Sequence, residues 1–313
     1  MLREVLQRYG IEGGRPRRVG AGNNNEHWFV GQYVLRRYRE RRPVDTVMFE
    51  HAILDHLDGL GWPVAAPIAT PGGERILEVD GRLYAVFPRL PGRRGITERP
   101  RAPRELGRML GRLHRDLATC RCEPPAGTFR EILSITTTWG TGNRTVDALF
   151  AAFAETSPGS AAYCTETLQG VRAEVAALDL SGMTRTLIHG DWHAGNLLFT
   201  RGQVTGVLDF DFAHPDLRVA DVAVSATVIE DDAATELIEG YRDEEPLPDE
   251  ELALLNLCER ARLLGALAAT LSIQSRGGRT ATGIEVLVSM AKRLEARWPA
   301  MKSRLGLARR RLP

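Results

Sequence analysis

The run from His189 to Asp211, HGDWHAGNLLFTRGQVTGVLDFD, constrains this chain more than any other stretch. TLIHG (Thr186–Gly190) reads as a short strand entering a loop. NLLFT (Asn196–Thr200) and QVTGVLDF (Gln203–Phe210) read as the two strands of a hairpin that turns at Arg201-Gly202. Such a hairpin returns Asp209 to the end of the sheet that carries Asp191 and Asn196. Two carboxylates and a carboxamide then converge, a set suited to phosphoryl transfer from ATP. One carboxylate orients a hydroxyl and accepts its proton, while the carboxamide and the second carboxylate hold Mg²⁺ on the phosphates. The same run contains His189-x-Asp191-x-His193, whose alternate spacing is that of a metal-binding strand and would suggest a zinc-type hydrolase. Trp192 and Gly195 do not extend that pattern, and it leaves Asn196 and Asp209 without roles.

Two pieces, His189-x-Asp191-x-x-x-x-Asn196 and Leu208-Asp209-Phe210-Asp211, resemble the catalytic segment of the aminoglycoside phosphotransferase and choline kinase superfamily, relatives of the protein kinases. The resemblance implies an α+β, bilobal, protein-kinase-like fold, with a small antiparallel β-sheet N-lobe and a larger, mainly helical C-lobe. It makes Asp191 the catalytic base, assigns Mg²⁺ to Asn196 and Asp209, and has His189 brace the loop. Asp211 is a candidate for a second metal contact. Asp221, in PDLRVADVA (Pro215–Ala223), matches a downstream Asp that supports the catalytic loop.

The first ninety residues read as a small antiparallel lobe, with strands at 17–22, 27–30 and 33–37. The loop Gly20-Ala-Gly22-Asn-Asn-Asn25 is glycine-bearing and rich in Asn, which tolerates left-handed backbone, so its N–H groups can approach phosphate oxygens. By strand alternation Arg36 takes the place where kinase-like proteins carry a lysine against the α- and β-phosphates. Arginine keeps the charge with a planar fork in place of a point charge. A helix over 45–57 carries Phe49, Ile53, Leu54 and Leu57 on one face, with Glu50 as the partner for Arg36. A strand starts at Trp62-Pro63-Val64, and 75–79 with 82–87 form a hairpin around Asp80-Gly81. Tyr84–Gly92 resembles the inter-lobe linker of that superfamily, in which backbone groups near Phe87 and Leu90 meet the adenine. The expected domains are therefore 1–90, the nucleotide lobe with a linker about 87–92, and 91–313, the catalytic and substrate lobe.

The C-terminal part reads as helices at 105–118, two segments within 145–178, and 220–229, 234–241, 249–272 and 283–307. Substrates of the superfamily include aminoglycosides, other sugar-bearing antibiotics, choline and homoserine. A cationic acceptor needs acids, and Glu230-Asp231-Asp232 and Asp243-Glu244-Glu245 are the candidates. Trp139 and Tyr241 are candidate aromatic contacts.

Of the lysines, only Lys292 and Lys302 occur, so a Gly-Lys-Ser/Thr phosphate loop is excluded and a Schiff-base enzyme is disfavoured. A chain of 313 residues with net charge +1 has room for two domains and calls for neither nucleic acid nor membrane as partner. No apolar run approaches a membrane span, and MLREVLQRYG reads as an amphipathic helix rather than a secretory leader. Cys120, Cys122, Cys164 and Cys258 lack zinc-like pairing, as expected for reduced thiols in a cytoplasm. The expected function is an ATP- or GTP-dependent, Mg²⁺-assisted phosphotransferase acting on a hydroxyl of a small molecule. An aminoglycoside or other sugar-bearing antibiotic, with its implication of antibiotic resistance, is the foremost expectation. A metabolic kinase of homoserine or choline type and a non-catalytic nucleotide-binding module are the alternatives, and a monomer or homodimer is expected.

Overall fold

The computed structural model describes residues 1–19, 25–39, 42–95, 103–129, 131–134, 145–278, 280 and 282–307. Along the chain run α1 (Leu2–Arg8), β1 (Arg17–Val19), β2 (Glu26–Val30), β3 (Tyr33–Arg37), α2 (Val44–Gly59), β4 (Leu77–Val79), β5 (Arg82–Pro88) and β6 (Arg93–Arg94). Then come α3 (Pro103–Leu117), α4 (Val146–Phe153), α5 (Pro158–Ala176), β7 (Arg185–Ile188), β8 (Leu197–Thr200), β9 (Gln203–Val207) and β10 (His214–Leu217). The chain closes with α6 (Arg218–Thr227), α7 (Asp231–Glu244), α8 (Asp249–Leu252), α9 (Leu255–Gln274) and α10 (Ile284–Arg304). This is the α+β, kinase-like pattern expected, an antiparallel sheet first and mainly helices after it.

Two compact units partition the residues: Met1–Arg101 with Thr119–Thr128 and Ala194–Asp211, and Ala102–Ala118 with Phe129–His193 and Phe212–Pro313. The hairpin of β8 and β9 thus belongs to the first unit, and the strand leading to Asp191 to the second.

In the first unit a five-stranded antiparallel sheet has the order β1-β2-β3-β5-β4. Its tight turns follow local chemistry. Asp80 and Gly81 both have positive φ, 52° and 68°, as the hairpin turn that matches strand twist requires. One sheet face carries Trp28, Val30, Leu35, Leu77, Tyr84 and Val86, sealed by Val5, Leu6 and Tyr9 from α1. Side-chain alternation sends Arg36 to the opposite face, where α2 supplies Glu50 and His51. The segment at Trp62-Pro63-Val64 is not a strand. Pro63 has no N–H for a ladder, and its carbonyl instead accepts from Val207 N–H at 2.8 Å. The second hairpin is as expected: β8 pairs with β9, and Arg201 and Gly202 turn with φ of 53° and 80°.

In the second unit α3 buries Leu106, Met109, Leu110, Leu113 and Leu117, the predicted stripe. It packs on α7 with backbones almost touching: a Cβ on Gly107 would lie 1.9 Å from Leu237 O, and one on Gly240 1.9 Å from Arg104 O. The helix expected over 249–272 is broken into α8 and α9. Glu251 is pinned by Arg218 and by Thr184 N–H, and the chain steps over through Leu254 N–H to Glu251 O at 3.0 Å. The α9 helix is buried along most of its length, against α4, α5, α6 and α10. Among the described residues, no helix is long and apolar enough to cross a membrane.

Candidate active site

In the second unit, β7 delivers His189, Gly190 and Asp191 into a loop held from behind by Asp221 on the first turn of α6. The fully buried Asp221 carboxylate accepts from His189 N–H at 2.7 Å and Gly190 N–H at 3.0 Å. His114 Nε2 lies 3.0 Å from the same carboxylate, and its Nδ1 lies 2.8 Å from Tyr241 Oη. Burial opposes ionisation of Asp221, but the His114 hydrogen bond and the neighbouring histidines outweigh it and hold the carboxyl low. Gly190 has φ of 77°, and a Cβ there would stand 2.2 Å from Phe212 O, so the bend admits only glycine. His189 is itself fully buried, edge-on to Trp192, and its Nδ1 accepts from Asp191 N–H at 3.2 Å. It therefore shapes the loop. Among the described residues no three His, Cys, Asp or Glu side chains form a metal-holding group, so the His-x-Asp-x-His spacing does not become a zinc-type site.

The Asp191 side chain is 17% exposed, with Arg262 Nη2 at 2.6 Å from Oδ1 and His193 Nε2 at 3.4 Å from Oδ2. Burial works against its charge. The His193 hydrogen bond, then Arg262, His193 and His189 by charge, outweigh that and hold the carboxyl well below the usual carboxylate range.

The other candidate polar groups belong to the first unit. Asn196 closes a short 3₁₀ turn and is buried; its carbonyl accepts from Leu208 N–H at 2.8 Å, so Asn196 and Asp209 sit at the same end of the β8–β9 hairpin. Asp209 has φ of 69°, a strained conformation for a non-glycine residue and one that collects at functional sites. A carboxylate and a carboxamide are hard oxygen donors, and Mg²⁺ is typically held by one or two carboxylates with the substrate's phosphates, so the pair fits that ion.

Arg36 and Glu50 form the expected ion pair, Nη1 to Oε1 at 2.5 Å. Asp211 is employed differently from its expected metal contact. It is only 3% exposed as a side chain, accepts from Asn25 Nδ2 at 2.5 Å, and lies 3.1 Å from Arg42 Nη1 and 3.4 Å from Arg36 Nη1. Arg42 also reaches Glu50, at 3.4 Å. Two arginines and two carboxylates thus alternate in a buried, balanced cluster. Burial works against the Asp211 charge, but Arg36 and Arg42 outweigh it and keep that carboxyl low, whereas burial raises Glu50. Arg36 lies between the Tyr38 and Phe87 rings, at 5.5 and 5.1 Å, and donates through Nε to His27. Phe87 is therefore a core ring, and Leu90 lies in irregular backbone after β5.

Gly20, Gly22 and Trp139 lie outside the described residues. Tyr241 is a core residue, as its bond to His114 requires. Glu230, Asp231 and Asp232, the candidates for a cationic acceptor, are paired with arginines. They start α7 and pair with α10: Glu230 with Arg293 at 3.5 Å, Asp231 with Arg297 at 3.3 Å, and Asp232 with Arg304. Asp243 and Glu244 are likewise taken up by Arg104, Arg108, Arg112 and Arg115. Acids at a helix start favour the dipole and recruit cations from a neighbouring helix, and that use prevails here. The sequence reading missed Arg42 and Arg262, which lie in arginine-rich helical or flanking segments that look solvated.

Known proteins with similar sequences include the homoserine kinase of Gluconobacter oxydans (strain 621H), 27% identical over 263 residues, covering 78% of this chain and 78% of that one. The homoserine kinase of Xanthobacter autotrophicus (strain ATCC BAA-1158 / Py2) is 29% identical over 273 residues, covering 81% of this chain and 78% of that one. Among solved structures, an amicoumacin kinase in complex with AMP-PNP, Ca²⁺ and its antibiotic superposes with a TM-score of 0.69 at 18% identity, covering 95% of this chain and 91% of that one. A microcompartment-associated aminopropanol kinase gives 0.66 at 20% identity, covering 96% and 97%. These superpositions show a shared fold. The model described as "Phosphotransferase enzyme family" matches residues 16–254, most of the sequence, and the chain belongs to that family.

Proposed function

We propose that this enzyme transfers the γ-phosphate of ATP or GTP to the hydroxyl of a small hydroxylated metabolite. The observation that carries the reading is Asp191, an ionised, nearly buried carboxylate on a loop braced by Asp221 and His114. Asp191 aligns the acceptor hydroxyl and takes its proton late, as the new oxygen–phosphorus bond forms. The bond from the γ-phosphorus to the diphosphate breaks, and the nucleoside diphosphate leaves. Asn196 and Asp209 would hold Mg²⁺, which would supply charge neutralisation at the phosphates. Arg36, steadied by Glu50, contacts the phosphates in place of the usual lysine, and the backbone near Phe87 and Leu90 meets the base. Residues 1–90 form the nucleotide lobe, and residues 91–313 supply the catalytic and acceptor lobe.

The expectation of a cationic antibiotic rested on acids free to receive it. Those acids are engaged by α3 and α10, and two relatives that share sequence are named homoserine kinases, which favours a metabolic acceptor. The test is ADP and GDP release with Mg²⁺ across homoserine, choline, aminoglycosides and nucleoside antibiotics. Asp191→Ala should lower turnover about 10²- to 10⁴-fold with nucleotide affinity kept, the scale of a lost general base. Asp209→Ala should lose metal-dependent nucleotide binding as well. Full activity in the Asp191 variant would overturn the mechanism.

A further inference from the structure

The arginines of α9 and α10 divide into two kinds. Arg260 pairs with Glu174, Arg293 with Glu230, Arg297 with Glu259 and Asp231, and Arg304 with Asp232. Each of those acids belongs to the helical scaffold. Arg262 alone of this group is paired with the residue read as the catalytic base, through a 2.6 Å contact from Nη2 to Asp191 Oδ1. Its side chain is 30% exposed on a helix that is otherwise largely buried, so the guanidinium stands at an accessible surface.

As a permanent partner for Asp191 this arrangement is poor chemistry. A guanidinium on Oδ1 lowers the basicity of a group that must accept a proton, and it occupies an oxygen that the acceptor hydroxyl needs. The contact makes sense if Arg262 has a second anion to hold when the acceptor is present. Arginine is suited to this, because its five N–H donors form a rigid fork that can engage two carboxylates on different edges. The local charge points the same way. His193 and the buried His189 are further cation-capable groups beside Asp191, and the acids that could have received a cationic acceptor are paired with arginines on α3 and α10.

We propose that Arg262 is the specificity-determining residue for the acceptor, binding an acidic group, a carboxylate in the simplest case, of the molecule whose hydroxyl Asp191 receives. The acceptor is then a hydroxy acid in which hydroxyl and acid are joined by a short carbon chain. When it binds, Arg262 shares or leaves Asp191 for the incoming anion, and one oxygen of the base is released to the hydroxyl. The proposal rests on the phosphotransferase reading of Asp191 and goes beyond it by naming the class of acceptor.

The test uses the full chain with ATP and Mg²⁺ and two acceptors that differ by one group: L-homoserine and 3-amino-1-propanol, the same skeleton without its carboxylate. The wild-type protein should prefer L-homoserine by about 10- to 100-fold in kcat/KM, the worth of a charge-assisted contact. Arg262→Met should bring that ratio close to one, chiefly through KM for L-homoserine, and Arg262→Lys should restore part of it. Retained nucleotide binding and an unchanged circular dichroism spectrum show that the variants are folded. A wild-type protein that shows no preference, favours the amine, or transfers to neither compound overturns the anchor, as does a preference that survives Arg262→Met. The underlying reading fails separately: it falls if no acceptor in the wider panel gives nucleoside diphosphate release that Asp191→Ala abolishes. Transfer to any acceptor in that panel, without a carboxylate preference, leaves phosphotransfer standing and removes only the anchor.

Discussion

Replacing Asp211 by Asn tests whether this residue ties the cluster together or serves a metal. The side chain lies 3.1 Å from Arg42 and 3.4 Å from Arg36, with 3% exposure, and Glu50, at 2%, is the other acid paired with both arginines among the described residues. At an effective dielectric constant of about 20, each of those two attractions is worth roughly 5 kcal/mol. Desolvation and repulsion from Glu50 offset much of it. With Asn at 211, two buried arginines face one carboxylate, and breaking such a pair costs about 3–5 kcal/mol. Arg42→Met made together with Asp211→Asn restores charge balance, so the pair of changes should cost less than the sum of the singles by about 2 kcal/mol. The assay is urea unfolding without nucleotide or metal, followed by tryptophan fluorescence. A metal ligand would leave this stability nearly untouched and affect only Mg²⁺-dependent nucleotide binding. A loss below about 1 kcal/mol for Asp211→Asn, with an additive double variant, would refute the clamp.

Two further outcomes follow from the same geometry. Burial first, and then Arg36, holds His27 and His51 down to about 3 from 6.5, so the native state refuses protons that the unfolded chain takes, and their contribution is lost as pH falls from about 6.5 to 3. Glu259, pushed up to about 7 by burial, and Glu50, raised likewise, act oppositely: their folded values lie above 4.5, so stability falls as pH rises from about 4.5 to 7. The free energy of unfolding in urea should therefore change little between pH 6.5 and 4.5, where the two sets of shifts oppose each other, and fall more steeply below it, where only the histidines still act. His51→Gln should lessen that drop, and an even decline from pH 6.5 would show that the opposing carboxyls are absent. Finally, Glu230→Gln with Asp232→Asn should leave KM for the acceptor unchanged in the diphosphate-release assay, because both side chains are almost fully exposed and face α10. A marked rise in KM would return these acids to the acceptor site.

The legible features were those with a local code. The β8–β9 hairpin and its Arg201-Gly202 turn follow from alternation and from the positive φ such turns need. The Arg36–Glu50 pair was readable because strand alternation and helical spacing each orient one partner toward the other. The break between α8 and α9 was not readable, since it depends on Arg218 gripping Glu251 from 33 positions away. Nor was the fate of Trp62-Pro63-Val64, whose carbonyl is claimed by a strand far along the chain.

One short run of residues carried the resemblance that implied the family and the fold class, and it held the candidates Asp191, Asn196 and Asp209 at spacings that a strand and a hairpin make locally readable. Apart from the Arg36–Glu50 pair, which arginine meets which acid was decided by tertiary structure. Asn25 finds Asp211 across 186 positions, Arg36 finds it across 175, and Arg262 finds Asp191 across 71. In a chain with so many arginines, attraction between opposite charges carries no register of its own, and the partner is chosen by where packed helices and strands leave each side chain.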